Sequence, residues 1–213
     1  KNISFKYPNT DVDIFDNVNF SINKGSVIGI VGETGCGKST LIDIISGLLN
    51  PTSGKIYIDK TELNSSELIR NWQNNLSYVS QNTYLMDDTI KNNIAFGIDP
   101  KEINMDKLND AIKNSELKNF VNSLPNKIDT EVGERGVALS GGQIQRIGIA
   151  RTLYKNSEFI IFDEITSALD KETALKIVKN LFIFNKNKTI IFVTHDNSLL
   201  EFCHKVYKIK EKK

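Results

Sequence analysis

Three short runs in this 213-residue chain hold the side chains best suited to chemistry. The first is Gly32-Glu33-Thr34-Gly35-Cys36-Gly37-Lys38-Ser39, which has the spacing G-x-x-x-x-G-K-[ST]. An apolar run ends just before it at Val31, and a helical pattern (Leu41, Ile44, Ile45, Leu48) follows. Glycines let the backbone curl until several N–H groups face one anion, and a helix starting there adds its positive end. Lys38 then supplies a point charge for the β- and γ-phosphates of a nucleotide, and the Ser39 hydroxyl suits Mg²⁺. Cys36 reads as a spacer in the loop, not a reacting group.

The second run, Leu139-Ser140-Gly141-Gly142-Gln143, reads as another helix start. Ser140 suits the N-cap, the two glycines allow close approach of phosphate, and Ile147, Ala150, Leu153 and Tyr154 form an apolar stripe behind them. A start beyond reach of the chain's own Lys-bearing loop would serve the nucleotide of a second copy. The third run, Phe159-Ile160-Ile161-Phe162-Asp163-Glu164, is an apolar strand ending in two carboxylates. Such a strand delivers them to the carboxyl edge of a parallel sheet, where ligands of α/β folds collect. There Asp163 suits Mg²⁺ and its water shell, and Glu164 suits the orientation and deprotonation of an attacking water. Taken alone, the pair also fits an acidic loop after a buried strand.

These runs need a scaffold, and the pattern supplies one. Strands are expected at residues 26–31, 55–58, 76–79, 159–162, 189–193 and 205–209, several as continuous apolar runs of the kind covered on both faces. Between Gln81 and Ser140 the pattern turns helical, with Ile103, Leu108, Ile112, Leu117 and Val121 at helical spacing and no convincing strand. The expectation is a mixed α/β core interrupted by a helical lobe. Asn126-Lys127-Ile128-Asp129 spells the guanine-reading N-K-x-D of GTPases. It follows Leu124-Pro125 instead of an apolar strand, precedes Asp163, and has no D-x-x-G before it, so it reads as a loop.

Composition narrows the classes further. A net charge of +1 argues against a broad electrostatic grip on nucleic acid or an anionic membrane. Cys36 and Cys203 are too few and too far apart for a disulfide framework or metal cluster, which favours a reducing compartment. No apolar run reaches the roughly 18 residues of a membrane-spanning helix, and no secretory signal opens the chain.

In order and spacing, these motifs resemble the ATP-binding cassette (ABC) family, from Tyr7 to about His195. Tyr7 matches the family's adenine-stacking aromatic and residues 32–40, through Thr40, its phosphate loop. Gln81 matches the Q-loop glutamine, residues 139–143 the signature sequence, Asp163 and Glu164 the Walker B pair, Ser167-Ala168-Leu169-Asp170 the D-loop, and His195 the switch histidine. The resemblance implies an α/β, RecA-like P-loop NTPase core (about 1–81 and 157–213), an inserted helical subdomain (about 82–156) and an N-terminal antiparallel β region. It implies ATP and Mg²⁺ as ligands. Glu164, His195 and Lys38 would be catalytic, and Ser39, Gln81 and Asp163 would lie on the metal. Tyr7, Gly32, Glu33, Thr34, Gly35, Cys36, Gly37, Lys38, Ser39, Thr40 and Gln81 would hold nucleotide, with Ser140, Gly141, Gly142 and Gln143 reaching that of a second copy.

The subclass implied is the exporter. The segment 88–97 is similar to the exporter stretch after the Q-loop, and Thr130-Glu131-Val132-Gly133-Glu134-Arg135-Gly136 to the exporter X-loop. Across its length the chain resembles bacterial half-transporters that flip lipid-linked oligosaccharides. That implies a homodimer, or a pairing with a second ABC domain, sandwiching two ATP molecules. It also implies a transmembrane domain upstream of Lys1, a place on the cytoplasmic face of the bacterial inner membrane, and no nucleic-acid partner. The alternative is a soluble ABC ATPase acting on nucleic acid or the ribosome. Ile144 stands where the family usually has a basic residue, and Ile165 replaces a common alanine.

Overall fold

A computed structural model describes residues 1–134, 136–184 and 187–210. In chain order the elements begin with β1 (Ile3–Lys6), β2 (Asp13–Val18), β3 (Val27–Val31), α1 (Lys38–Ile45), β4 (Tyr57–Ile58), β5 (Thr61–Glu62), α2 (Ser66–Asn74) and β6 (Leu76–Val79). There follow β7 (Asp88–Thr89), α3 (Ile90–Ile94), α4 (Met105–Asn114), α5 (Lys118–Ser123), β8 (Glu131–Val132) and α6 (Gly141–Lys155). The chain ends with β9 (Phe159–Asp163), α7 (Lys171–Phe184), β10 (Thr189–Val193), α8 (Asn197–Leu200) and β11 (Lys205–Lys208). No helix among the described residues is long and apolar enough to cross a membrane.

The chain divides into two compact units. The first comprises residues 1–77, 158–161 and 187–213. Its centre is a sheet of strand order β11-β3-β10-β9-β6, with β10 and β11 both parallel to β3. Val27 and Ile30 of β3 and all of β10 are buried, as expected of strands covered on both faces. Ile28, Ile30, Ile161, Ile191 and Val193 of the sheet pack with Leu41, Ile42 and Ile44 of α1 and with Phe5 and Phe15 of the antiparallel pair β1–β2. Full burial of such aliphatic and aromatic side chains contributes roughly 1.5–3 kcal/mol each. The sheet therefore fixes the end of β3, and with it the loop that follows.

The second unit comprises residues 78–157 and 162–186. Leu108, Ala111 and Ile112 of α4, Leu117, and Val121 of α5 pack on Ile147 and Ala150 of α6 and on Ile90 and Ile94 of α3. The helical periodicity read between Gln81 and Ser140 is this packing face.

Three local expectations need correction. The strand expected at 55–58 shrinks to Tyr57–Ile58, which pairs antiparallel with β5 outside the main sheet; Asp59, at φ +53°, makes the turn. Leu48, expected on the packing face of α1, lies beyond the helix and is 62% exposed, because α1 stops at Ile45. The 81–140 stretch does contain strand: β7 pairs with β8 across some forty residues, through Asp88↔Val132 and Thr89↔Glu131. Two-residue strands paired at long range leave no periodicity to read. Residues 126–129 form a single 3-10 turn at Lys127–Asp129, and Asp129 is engaged by Lys91 at 2.7 Å.

Candidate nucleotide site

In the first unit the loop after β3 is shaped by glycine where only glycine fits. Gly37 has φ +96°, and a Cβ there would lie 2.7 Å from Ile14 Cγ2. A Cβ on Gly32 would meet Cys36 Sγ at 2.6 Å and the Ile209 carbonyl oxygen at 2.7 Å. Cys36 is buried, which suits the spacer role expected of it. Lys38 Nζ curls back over its own loop and donates to the Gly32 and Glu33 carbonyls at 2.7 and 2.9 Å. Gly37 is the N-cap of α1 and offers no side-chain hydrogen bond, and the first turn of α1 carries no acid. The first N–H groups of α1 therefore meet no capping side chain and no repelling carboxylate, the arrangement that favours an external anion.

Around this loop, Ser39, Glu33, Thr34 and Gly35 are exposed and Thr40 is buried. The Tyr7 hydroxyl is 3.0 Å from Thr40 Oγ1, and its ring packs edge-on to Phe5 at 5.0 Å between centroids. Tyr7 is nonetheless 39% exposed and borders an open cleft of about 460 Å³ that also includes Pro8, Asn9 and Thr52. Tyr7 thus packs against Phe5 while remaining partly accessible. His195 is exposed at the end of β10.

In the second unit the two carboxylates are each held by a residue at or just beyond the end of β6. Tyr78 Oη donates to Asp163 Oδ2 at 2.9 Å, and Gln81 Nε2 donates to Glu164 Oε2 at 3.3 Å. Glu164 has φ +50°, a left-handed conformation that is uncommon for a side chain of its kind. Among the described residues no cluster of three or more His, Cys, Asp and Glu forms a metal site by itself. The donors expected of Ser39, Gln81 and Asp163 are hard oxygens, the chemistry Mg²⁺ takes when one or two protein ligands are completed by phosphate and water.

Ser140 caps α6 as expected. Its Oγ accepts from Gln143 N at 3.3 Å, while Gln143 Oε1 accepts from Ser140 N at 2.8 Å, a complete capping box. Gln143, expected to face nucleotide, spends its side-chain oxygen on this cap. Ile147 and Ala150 are buried and Leu153 and Tyr154 half-buried, but Gln145, Gly148, Ile149 and Thr152 are buried too, so the helix is enclosed over more than one stripe. A cavity of about 390 Å³ is lined by Ser140, Gly141, Gly142, Arg146, Leu169 and Asp170, among others. Arg146 spans from the Gly142 carbonyl (3.1 Å) to the Glu116 carbonyl (2.8 Å); desolvation pulls its pKa down, against the pull of Asp170 and Glu116. Asp170 accepts from Thr173 N at 2.9 Å, and this bond is the main reason its pKa is lowered.

Sequence reasoning had no hold on Tyr78, Gln145 and Arg146, the side chains that clasp the expected site residues. Tyr78 left a faint trace, as the exposed position of β6 in an otherwise buried strand. Gln145 left another, as a polar side chain among the buried positions of α6.

Residues 15–167 match the family model described as ABC transporter. This chain belongs to the ABC transporter family. It is 39% identical over 201 residues to an ATP-dependent lipid A-core flippase of Pseudomonas aeruginosa, covering 94% of this chain and 33% of that protein. It is 36% identical over 211 residues to the Escherichia coli protein of the same name, covering 99% of this chain and 36% of that one. A solved structure of a bacterial Atm1-family ABC exporter with ATP bound superposes with a TM-score of 0.90 at 33% identity, over 100% of this chain and 37% of that chain. The chain thus spans about a third of the length of these relatives. Its fold is that of the ABC ATPase domain, a P-loop NTPase with a parallel sheet and antiparallel strands at the N-terminus, and it is an ATP-binding domain.

Proposed function

We propose that this chain is the ATP-hydrolysing motor of an ABC exporter. The observation that carries the reading is the start of α1: Lys38 over a glycine-shaped loop, ahead of helix N–H groups that no side chain caps. Lys38 and those N–H groups hold the β- and γ-phosphates, and Tyr7 stacks on the base. Ser39, Asp163 and Gln81 hold Mg²⁺, which when bound neutralises charge developing on the phosphates. Glu164 accepts a proton from the attacking water, and His195 steadies the γ-phosphate. Residues 82–156 form the helical subdomain and the remainder the core.

In this reading two copies, or this chain and a second ABC domain, enclose two ATP molecules. Each lies between one P-loop and the other copy's Ser140, Gly141 and Gly142. ATP stabilises the closed pair because it binds that state better than the open one. This chain sits on the cytoplasmic face of the bacterial inner membrane, where an attached transmembrane domain converts closure and release into transport. The flippases among the relatives favour an amphipathic lipid cargo. They and the exporter neighbour also favour export over a soluble role on nucleic acid or the ribosome.

Glu164→Gln tests the reading. It keeps the side-chain shape and removes the proton acceptor, so hydrolysis falls by about 10²- to 10⁴-fold while nucleotide binding persists. Sedimentation with ATP and Mg²⁺ then shows a lasting dimer, and adding Ser140→Arg abolishes it. Wild-type turnover by Glu164→Gln removes the proposed base; a tight ATP-bound monomer removes the shared site.

A further inference from the structure

Gln145 is 2% exposed, and a buried amide is tolerated only where its donor and acceptor are both engaged. Both ends are engaged, and on one short segment. Nε2 donates to the Glu164 carbonyl at 3.0 Å, and Oε1 accepts from Ala168 N at 3.3 Å. The same carbonyl accepts from Ser167 N at 3.1 Å, closing the turn that leaves β9. At the head of this turn stands Glu164 with φ +50°. A left-handed non-glycine residue persists only where its surroundings over-determine it, and such residues collect at functional sites. The backbone torsions of Glu164 set the direction of its Cα–Cβ bond. Whatever holds the turn therefore also sets where the carboxylate points. Gln81 steadies the far end of that carboxylate, while Gln145 grips the main chain on either side of the bend.

We propose that Gln145 is a positioning residue for hydrolysis: by bridging the Glu164 carbonyl and the Ala168 amide it holds the left-handed turn and aims the Glu164 carboxylate at the attacking water. The inference rests on the reading of Glu164 as the group that acts on water. Gln145 is buried and spends both ends of its amide on the main chain of this turn, so it acts through Glu164. The helix that carries it opens at Ser140, so α6 presents both the cap residues of the proposed shared site and this tether.

The test is Gln145→Met in the natural polypeptide that carries this chain. Methionine keeps the length and volume of the side chain and removes both hydrogen bonds. A misplaced catalytic group costs up to about a hundredfold, so kcat falls by about ten- to a hundredfold. KM and the dissociation constant of a fluorescent ATP analogue stay at their wild-type values. In the Glu164→Gln background the same substitution produces no further fall in the single-turnover rate, because the group it positions is already gone. A wild-type kcat, a raised KM with unchanged kcat, or an equal fall in both backgrounds overturns the proposal. If thermal melting shows that Gln145→Met does not fold, Gln145→Glu is read in the same cycle with the same expectations; it keeps an acceptor toward Ala168 N and loses the donor to Glu164. Failure of the underlying reading is separate and shows as wild-type turnover by Glu164→Gln alone.

Discussion

Helices α1 and α6 both begin beside glycine, yet their first turns are finished in opposite ways. At α1 the N-cap is Gly37, and its first turn receives no side-chain cap. At α6 the N-cap is Ser140, and Ser140 and Gln143 close a capping box. Neither first turn carries an acid, whereas α2 has Glu67 there and α4 has Asp106 behind serine and asparagine caps. A carboxylate in the first turn is the usual local answer to the helix dipole, and its omission keeps the start open to an outside anion. The open start of α1 leaves its first N–H groups to water or an outside anion. The capped start of α6 keeps its own shape, and Ser140 retains a hydroxyl hydrogen to donate outward while its oxygen accepts from Gln143. One start is left uncapped, while the other closes on its own side chains.

The largest effect that sharpens this contrast is expected from Lys38→Ala. Losing a charge-assisted bond to phosphate weakens ATP binding by up to about a hundredfold and removes turnover, as read by nucleotide titration. Ser140→Ala should act on stability instead. Losing an N-cap costs about 1 kcal/mol, which lowers Tm by about 2–4 °C in a chain of this size. ATP affinity of the monomer stays unchanged. A Ser140→Ala monomer that binds ATP as poorly as Lys38→Ala would erase the distinction between the two starts. Smallest of all is Asp129→Ala, which removes an exposed pair with Lys91 and costs at most about 1 kcal/mol. Competition between ATP and GTP is then unaltered. A strict preference for GTP, lost on this substitution, would make residues 126–129 a base-reading motif after all.

The parts of the fold legible in the sequence were those where each residue repeats the same message. β10 is five buried residues in a row, Thr189 and then four apolar ones, and β3 and β9 are close to that. The loop after β3 was legible because its glycines are required by positive φ and close approach, so the spacing itself carries the geometry. β2 went unread, since Asp13-Ile14-Phe15-Asp16-Asn17-Val18 breaks alternation at the bulges where it meets β1. The β7–β8 pairing lay beyond any local window. In the site, the glycines, Lys38 and the carboxylates announced themselves by type and order. Tyr78, Gln145 and Arg146 did not, because their significance lies in which backbone or carboxylate atoms they reach, and one-dimensional spacing does not encode reach.

The far end of α1 has a practical consequence. Trp72 Nε1 donates to the Ile45 carbonyl at 2.7 Å, and Gln73 Nε2 reaches the Ser46 and Gly47 carbonyls at 3.3 and 3.1 Å, so the C-terminal end of the helix is tied to α2. Trp72 is the single tryptophan of the chain. Its indole also packs against Phe159 of β9, with ring centroids 4.9 Å apart. The protein therefore carries its own optical probe, hydrogen-bonded to one end of the very helix whose other end is shaped for phosphate. Within this chain its fluorescence reports on α1 without any label.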